Sequence, residues 1–244
     1  MVSFQKPSSQ KPKGKEVEKT MKNAMILIIL ILWCVRPVLA DSDITLPDVQ
    51  GSNLDTIQGL EKRIASRRYS TREVPLGAIG TILWAGNGII KRSGEDQTVH
   101  GYDTLSGATP NVRYSVPWGW GRPYIKLYVL LKEGAYLYVP EEHKLEFASQ
   151  ENLISRSGSS ASNPYGVIVI AADFSQMPRG ENEMTKNVAH LTAGSSAQNM
   201  YTAGTLHDVQ MLTQITINHA VLKEGLDLPE DVVPLALLSF GHSD

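Results

Sequence analysis

Apolar residues at three- and four-residue spacing mark the helices of this chain. They predict an amphipathic helix over residues 53–66 and a second helix that opens at Pro75 and stops near Gly86 or Gly88. A run of small and apolar residues predicts one long helix over residues 183–206. Small residues on that helix allow another backbone to approach closely, either in the core or across a dimer.

Runs of β-branched and aromatic residues, separated by turns, predict the strands. Residues 125–131 and 135–139 flank a Glu-Gly turn and predict a hairpin. Residues 165–172 are apolar almost without interruption, which is typical of a strand covered on both faces. The remaining predicted segments are an edge strand around Leu145 and Phe147, a strand over residues 209–217, a short helix over residues 220–226 and a final strand over residues 234–240.

The order of these elements predicts an α+β fold. Helices and strands are mixed without a regular β-α-β alternation, which favours an antiparallel or mixed sheet with helices packed against it. Segments rich in small polar residues predict a loop over residues 91–111 and a mobile loop over residues 155–163. The sequence shows no internal repeat.

The first 40 residues have the order of a secretory signal. A positively charged N-terminal region precedes an apolar run over residues 24–35. Small residues follow at 38–40, after which a signal peptidase would cleave. The run is too short for a spanning helix, so we expect an exported, periplasmic protein without membrane contact after cleavage. Met21 is an alternative start, and a retained anchor is the alternative to cleavage.

The predicted mature chain holds one acidic domain. Residues 41–53 are polar and predict a linker, and residues 54–244 are long enough for one domain with its own core. Without residues 1–40 the chain keeps 16 basic and 23 acidic residues, a formal charge of −7, which argues against nucleic acid and anionic lipid as partners. The lone cysteine, Cys34, lies in the apolar run after Trp33, which argues against lipidation and leaves the mature chain without a disulfide.

Familiar hydrolytic, metal and dinucleotide signatures are missing from the sequence. No Gly-x-Ser-x-Gly occurs, and the six histidines are dispersed without metal-ligand spacing, so we expect no metal site. The Gly-x-Gly pairs at residues 86–88 and 119–121 lack the third glycine of a dinucleotide-binding loop. A hydrolase or metalloenzyme is therefore the least favoured alternative.

Two arginines flank a serine where the first predicted helix ends. Arg68 and Arg72 offer planar forks of charged donors, and Ser70 adds a short hydroxyl between them. This combination can hold a phosphate. The alternative is a solvated basic helix end, because arginine near a helix C-terminus also complements the helix dipole.

A stiff loop over residues 117–123 interleaves two tryptophans with two glycines just before a predicted strand. Flat apolar side chains and exposed backbone N–H groups suit a planar heteroaromatic ring. The alternative is a surface loop whose tryptophans fill the core.

Taken in chain order, several short motifs resemble the FMN-dependent nitroreductase family. They are most similar to its exported bacterial branch, which is related to the dehydrogenases that form thiazoles and oxazoles. The segments that carry the resemblance are residues 68–74 (RYSTREV), 82–88 (ILWAGNG), 117–128, 136–145, 198–201 (QNMY) and 237–241 (LLSFG).

The resemblance implies a three-layer fold with a mixed, mostly antiparallel sheet, assembled as a homodimer with flavin sites at its interface. It implies that the long helix forms much of the dimer seam. It also implies ping-pong transfer of electrons through FMN to or from a small planar substrate, with NAD(P)H or a redox protein as donor. The implied cofactor-binding residues are Arg68, Tyr69, Ser70 and Arg72 at the phosphate and ribityl chain, Pro117, Trp118, Gly119 and Gly121 at the isoalloxazine, and Thr213, Gln214 and Ile215 at its reactive edge.

The chain also departs from the family pattern. Trp118 stands where the family has serine, Gly121 where it has asparagine, and Ile215 where it has glycine, and no basic residue completes the C-terminus. These changes remove side-chain hydrogen-bond donors from the implied flavin site but leave the implied fold unchanged. They motivate the alternative that this is a degenerate member with a flavin-binding or interaction role and no redox catalysis.

Overall fold

A computed structural model describes residues 42–48, 56–92, 112–119 and 123–243 of the chain. The predicted signal peptide and nearly all of the predicted loop over residues 91–111 lie outside the described residues. No helix within the described ranges has the length and hydropathy required to cross a membrane.

The structure contains four α-helices and nine strands within its described residues. The helices are α1 (Thr56–Lys62), α2 (Leu76–Asn87), α3 (Glu183–Thr205) and α4 (His219–Gly225). The strands are β1 (Ile44–Thr45), β2 (Ile89–Arg92), β3 (Val112–Tyr114), β4 (Ile125–Leu131), β5 (Gly134–Val139), β6 (Lys144–Ser149), β7 (Gly166–Asp173), β8 (Gln210–Gln214) and β9 (Val232–Gly241). Short 3₁₀ turns span Ile154–Arg156 and Phe174–Gln176.

Seven strands form one sheet in the order β1-β6-β5-β4-β7-β9-β8, and β2 and β3 form a separate ribbon. Every neighbouring pair in the sheet is antiparallel. Strand β7 is buried along its whole length, as its continuous apolar run predicts. Pro234 fits β9 because β8 pairs only with Leu237–Gly241, so the missing N–H leaves no β8 partner unsatisfied.

Helices cover both faces of the sheet, which confirms the predicted α+β architecture in three layers. On one face α2 and α3 pack over a core that includes Leu127, Ile168 and Leu238. On the other face, residues of α4 and the Ile154–Arg156 turn pack against Val169 and Leu237. Because successive side chains of a strand point to opposite faces, β7 and β9 contribute to both cores.

The first predicted helix is longer than the helix in the structure. Helix α1 ends at Lys62, although the apolar spacing predicts helix to residue 66. The chain turns extended because Ala65 forms a parallel bridge with Met211, and Ser66 N–H donates to the Met211 carbonyl at 3.1 Å. Ile64 is consequently an exposed side chain and not part of a helical apolar face.

The small residues of α3 divide between two environments. Ala189, Ala193 and Ala197 are buried in the core against α2 and the sheet. The contact is close, since Ser196 Oγ donates to the Gly86 carbonyl at 2.6 Å. Gly194, by contrast, has no atom within 4 Å of the position that a Cβ would take. One side of α3 is therefore packed in the core, and another side is open.

Residues 42–48, within the segment predicted as a linker, lie along the sheet edge. Strand β1 pairs with β6, and Lys144 Nζ donates to Asp43 Oδ2 at 3.1 Å. The His143 ring lies between Tyr138 Oη and the Pro47 carbonyl, each at 3.0 Å. A carbonyl can only accept, so Nε2 carries a proton, and a neutral ring accepts from Tyr138 at Nδ1.

We expect the protein to become less stable as pH falls from 7.5 to 5.5. Burial lowers the pKa of His143, against a smaller raising effect of the Pro47 carbonyl, and burial also lowers the pKa of His207. Below about pH 6.5 these two histidines are therefore protonated more readily in the unfolded chain than in the folded chain. The free energy of unfolding decreases as a result. Urea denaturation at both pH values measures this. His143→Gln should reduce the pH dependence, and an equal pH dependence in that variant would contradict the assignment.

Candidate functional site

The arginine-rich segment lies across one end of strands β8 and β9. Ser66 N–H donates to the Met211 carbonyl at 3.1 Å, and Ser70 N–H donates to the His242 carbonyl at 2.9 Å. Between these two points Tyr69 N–H donates to the Ser162 carbonyl at 3.2 Å. The segment is thus an extended strap that the sheet and the 155–163 loop hold from both sides.

Tyr69 anchors this strap in the core. Its side chain is only 2% exposed, and its phenol donates to the Ser239 carbonyl at 2.9 Å. The ring lies on Gly241, where an added Cβ would come within 3.0 Å of Tyr69 Cδ1. Burial raises the pKa of Tyr69, so the phenol stays protonated and keeps donating. The Tyr69 ring is therefore a structural anchor, and the predicted cofactor-binding role of this residue stays a prediction.

Arg68, Ser70 and Arg72 have different environments on the strap. Arg68 is exposed, and its guanidinium makes no hydrogen bond or ion pair with any residue that the structure describes. Ser70 Oγ accepts from the Arg72 N–H at 3.3 Å. Arg72 Nη2 donates to Asp208 Oδ2 at 2.5 Å and contacts Nδ1 of the buried His242. One guanidinium is therefore free and the other is already paired with a carboxylate.

The loop predicted as mobile is tied to the sheet through Gln214. Gln214 Nε2 donates to Ser160 Oγ at 2.7 Å, and Gln214 Oε1 accepts from the Ser160 N–H at 3.3 Å. Ser159 Oγ lies 2.7 Å from Ser239 Oγ. The Asn163 side chain donates to the Tyr69 carbonyl at 3.2 Å. These contacts join the loop, β8 and the arginine strap into one polar cluster, in which Ser159, Ser160 and Asn163 were missed by sequence reasoning.

The other two residues predicted at the reactive edge of the flavin, Thr213 and Ile215, lie beside Gln214 at the C-terminal end of β8. Thr213 N–H donates to Tyr201 Oη at 2.9 Å, so α3 already uses that backbone donor. Ile215 follows the last residue of the strand and is 82% exposed. An apolar side chain this exposed is a candidate contact for a planar ligand or a second chain.

The tryptophan loop rests on the first half of α3. Thr192 Oγ1 donates to the Pro117 carbonyl at 3.3 Å, and Gly119 N–H donates to Tyr124 Oη at 3.2 Å. Gly119 is required here because an added Cβ would come within 2.9 Å of Val188 Cγ1. Gly121 lies outside the described residues.

Trp118 packs partly into the protein, and its predicted contact with the isoalloxazine stays a prediction. Its ring is half-buried and stacks on Tyr114, with ring centroids 3.6 Å apart and planes tilted by 32°. Its indole N–H is buried and has no acceptor among the residues that the structure describes. A cavity of about 480 Å³ opens beside it, and its lining residues are Ile90, Val112, Arg113, Tyr114, Ser115, Val116, Pro117 and Trp118.

The arginine strap and the tryptophan loop of one chain lie toward opposite ends of α3. The loop contacts Thr192, and Asp208, the partner of Arg72, follows the end of the helix at Thr205. At a rise of 1.5 Å per residue, Thr192 and Thr205 are separated by about 20 Å along the helix axis. The structure therefore brings the strap together with β8 and the serine loop, and leaves the tryptophan loop apart.

Within residues 42–48, 56–92, 112–119 and 123–243, no three His, Cys, Asp or Glu side chains are grouped closely enough to hold a metal ion. The predicted phosphate-binding side chains, Arg68, Ser70 and Arg72, are hydrogen-bond donors that suit an anion and not a divalent cation.

Comparison with known proteins identifies the fold. The nitroreductase family profile matches residues 60–242. A protein of Methanocaldococcus jannaschii, provisionally named a nitroreductase, is 25% identical over 208 residues, which cover 82% of this chain and 96% of the relative.

Two solved structures share the architecture at low sequence identity. A protein of Ralstonia eutropha, also provisionally named a nitroreductase, is 23% identical with a TM-score of 0.71, over 84% of this chain and 91% of that one. The NADPH:FMN oxidoreductase of Vibrio harveyi, complexed with NAD⁺, is 13% identical with a TM-score of 0.52, over 78% of this chain and 69% of that one.

Proposed function

This chain belongs to the nitroreductase family, whose members are typically flavin-dependent oxidoreductases, and we propose that it uses FMN to pass electrons to or from a small planar substrate by a ping-pong mechanism. The observation that carries the proposal is the arginine strap, which presents Arg68, Ser70 and Arg72 and which Tyr69 anchors at one end of the sheet.

The residues of the strap fit a phosphate monoester. The Arg68 guanidinium is free within the described residues, and Ser70 Oγ, which accepts from the Arg72 backbone, keeps its own proton to donate. Arg72 is paired with Asp208, but both side chains are exposed. Exposed ion pairs contribute about 0–1 kcal/mol, so a phosphate dianion can displace the carboxylate.

When bound, FMN supplies the redox chemistry itself, and the protein supplies position and hydrogen bonds. Arg68, Ser70 and Arg72 would hold the phosphate tail. Gln214, fixed by Ser160, and the exposed Ile215 would border the ring system. The stacked pair of Trp118 and Tyr114 offers a flat apolar wall with one unpaired indole N–H, which would orient a planar ring and exclude water.

We further propose that a complete site takes residues from two chains. Nitroreductases are typically dimeric, and about 20 Å of helix separates the tryptophan loop from the arginine strap within one chain. Helix α3 presents the surface for pairing: Met184, Asn187, Leu191, Gly194 and Gln198 follow heptad spacing, and all are exposed and uncharged. A partner chain packed on that stripe would make α3 part of the dimer seam, as the family resemblance implies.

Leu191→Glu is expected to convert the dimer to a monomer, since it places a charge in the centre of that uncharged stripe. Leu191 is 73% exposed, so the substitution costs little in the isolated fold. Light scattering coupled to size-exclusion chromatography measures the mass. His190→Glu is the matched control, because His190 is also exposed but lies about 100° around the helix from Leu191. A monomeric wild-type protein, or a dimeric Leu191→Glu variant, would contradict this seam.

An absorbance spectrum of the purified mature protein tests the flavin assignment. We expect flavin bands, or their appearance after incubation with FMN, and a melting temperature that rises with added FMN because a ligand of the native state must stabilise it. Loss of the oxidised flavin bands with NADPH or dithionite under anaerobic conditions, and their return with a quinone, tests electron transfer. A colourless protein whose melting temperature does not change with high-micromolar FMN would contradict the proposal.

The Arg72–Asp208 ion pair also favours a second candidate, a family member that binds without redox catalysis. In that case thermal stability is independent of flavin, or a bound flavin resists reduction by every donor. The same spectra therefore separate the two candidates.

We also propose export to the periplasm, directed by residues 1–40. Nicotinamide is scarce outside the cytoplasm, so the donor would be a redox protein or a quinol in place of NAD(P)H. N-terminal sequencing of the secreted protein should begin at Asp41, and an intact leader on a soluble cytoplasmic protein would refute export.

A further inference from the structure

We propose that Asp208 competes with the cofactor's phosphate for Arg72, and thereby weakens FMN binding relative to flavins without a phosphate. This inference rests on the proposed function. It assigns to Asp208 the role of an affinity-setting residue at the phosphate end of the site.

In the ion pair, the Asp208 carboxylate occupies Arg72 Nη2, a donor that a bound phosphate would use. Arg72 Nη2 lies 2.5 Å from Asp208 Oδ2, and the two side chains are 57% and 75% exposed. Each is therefore open to solvent and to an arriving anion. Since an anion must replace the Asp208 carboxylate before it reaches this nitrogen, binding and the ion pair exclude each other at Nη2.

The backbone holds Asp208 in place. Its φ of +57° lies in the left-handed region, where Asp and Asn are better tolerated than most side chains. On one side His207 N–H donates to the Gly204 carbonyl at 3.0 Å, and on the other Val209 N–H donates to the same carbonyl at 2.9 Å. This turn caps α3 and fixes the direction from which the carboxylate meets Arg72.

Arg72 also contacts the His242 ring, which carries no negative charge and so does not neutralise the guanidinium. His242 Nδ1 contacts Arg72 Nη2 and lies 2.8 Å from the Asp208 carbonyl, and the ring is buried. Asp208 is thus the anionic partner of Arg72 among the described residues. While Asp208 is paired with Arg72, an arriving phosphate finds the Arg68 guanidinium free and the Arg72 guanidinium already paired with a carboxylate.

Asp208→Asn tests the inference, because it removes the charge and preserves a side chain that tolerates positive φ. We expect Asp208→Asn to bind FMN up to about fivefold more tightly than wild type, the upper end of what an exposed ion pair contributes, and to bind riboflavin unchanged because riboflavin has no phosphate. Fluorescence quenching titrations with FMN and with riboflavin give both dissociation constants without any turnover. Asp208→Gly should behave alike, since glycine also accepts the turn.

Two further variants make the result specific. Asp227→Asn is the matched control, because Asp227 is also exposed and left-handed, with a φ of +48°, but pairs with no arginine in the described part of the chain. In an Arg72→Ala background, Asp208→Asn should no longer change FMN affinity. Circular dichroism checks that each variant is folded.

The outcomes separate the inference from the proposed function. Wild-type FMN binding with no gain in Asp208→Asn and Asp208→Gly, or an equal gain for riboflavin, would overturn the role of Asp208 and leave the flavin assignment standing. Absence of binding of either flavin by every variant would overturn both.

Discussion

Arg68→Ala is expected to weaken FMN binding by about a hundredfold, and Arg68→Ala with Arg72→Ala to abolish it at micromolar concentrations. A hydrogen bond to a charged group contributes about 1.5–3 kcal/mol, and a hundredfold loss of affinity corresponds to about 2.7 kcal/mol. Arg72→Ala alone should have a smaller effect, because Arg72 loses its contact with Asp208 when it binds the phosphate. Titration of the flavin fluorescence with each variant gives the dissociation constants.

Two controls define what this result means. Arg156→Ala removes an exposed arginine that is paired with Glu151 at 2.9 Å, so it has the same charge change away from the strap and should leave FMN affinity unchanged. Riboflavin should bind the arginine variants as it binds the wild type. If Arg68→Ala retained wild-type affinity for FMN, the phosphate would have to lie elsewhere, and the strap would be a solvated basic segment.

Tyr69→Ala is expected to reduce the free energy of unfolding by about 3–5 kcal/mol, the usual cost of removing a buried aromatic side chain. That loss is a large part of the roughly 5–15 kcal/mol that stabilises a typical domain. The variant removes the ring that packs on Gly241 and the phenol that donates to the Ser239 carbonyl. Urea denaturation followed by circular dichroism measures the change.

Tyr69→Phe separates packing from hydrogen bonding at the same position. It keeps the ring and removes the phenol, so we expect a loss of about 1 kcal/mol and little change in FMN affinity. If Tyr69→Ala were as stable as the wild type, the strap would not be anchored through this side chain, and the rigid presentation of Arg68 and Ser70 would need another explanation.

Sequence patterns predicted most of the secondary structure because the signals are local. Pro75 immediately precedes α2, as the sequence predicts, and α3 spans Glu183–Thr205, close to the predicted 183–206. The continuous apolar run of β7 predicts burial on both faces, and it is buried on both. The first helix was predicted too long, since the pairing of Ala65 with Met211 is a contact that helical periodicity does not encode.

The candidate site could be predicted only in part. The Arg68-Ser70-Arg72 pattern marks a phosphate-binding candidate from residue types and spacing alone. The serine cluster around Gln214 left no recognisable signal, because Ser159 and Ser160 belong to a polar stretch that reads as an ordinary loop. The sequence left open whether Trp118 faces a ligand or fills the core; the structure gives it a half-buried position, and its ligand-facing role stays a prediction.

Local sequence patterns are enough to predict most of the helices and strands, their α+β order and the chemical character of the strap, although they miss β1, β2 and β3. Each of these predictions depends on neighbours within a few positions. Tertiary structure alone decided how those residues are used. Tyr69 reaches Ser239 across 170 positions and points into the core, and Arg72 meets Asp208 across 136 positions and is partly neutralised. Contacts over such separations form only when the sheet closes and α3 lies across it, so no local pattern can contain them.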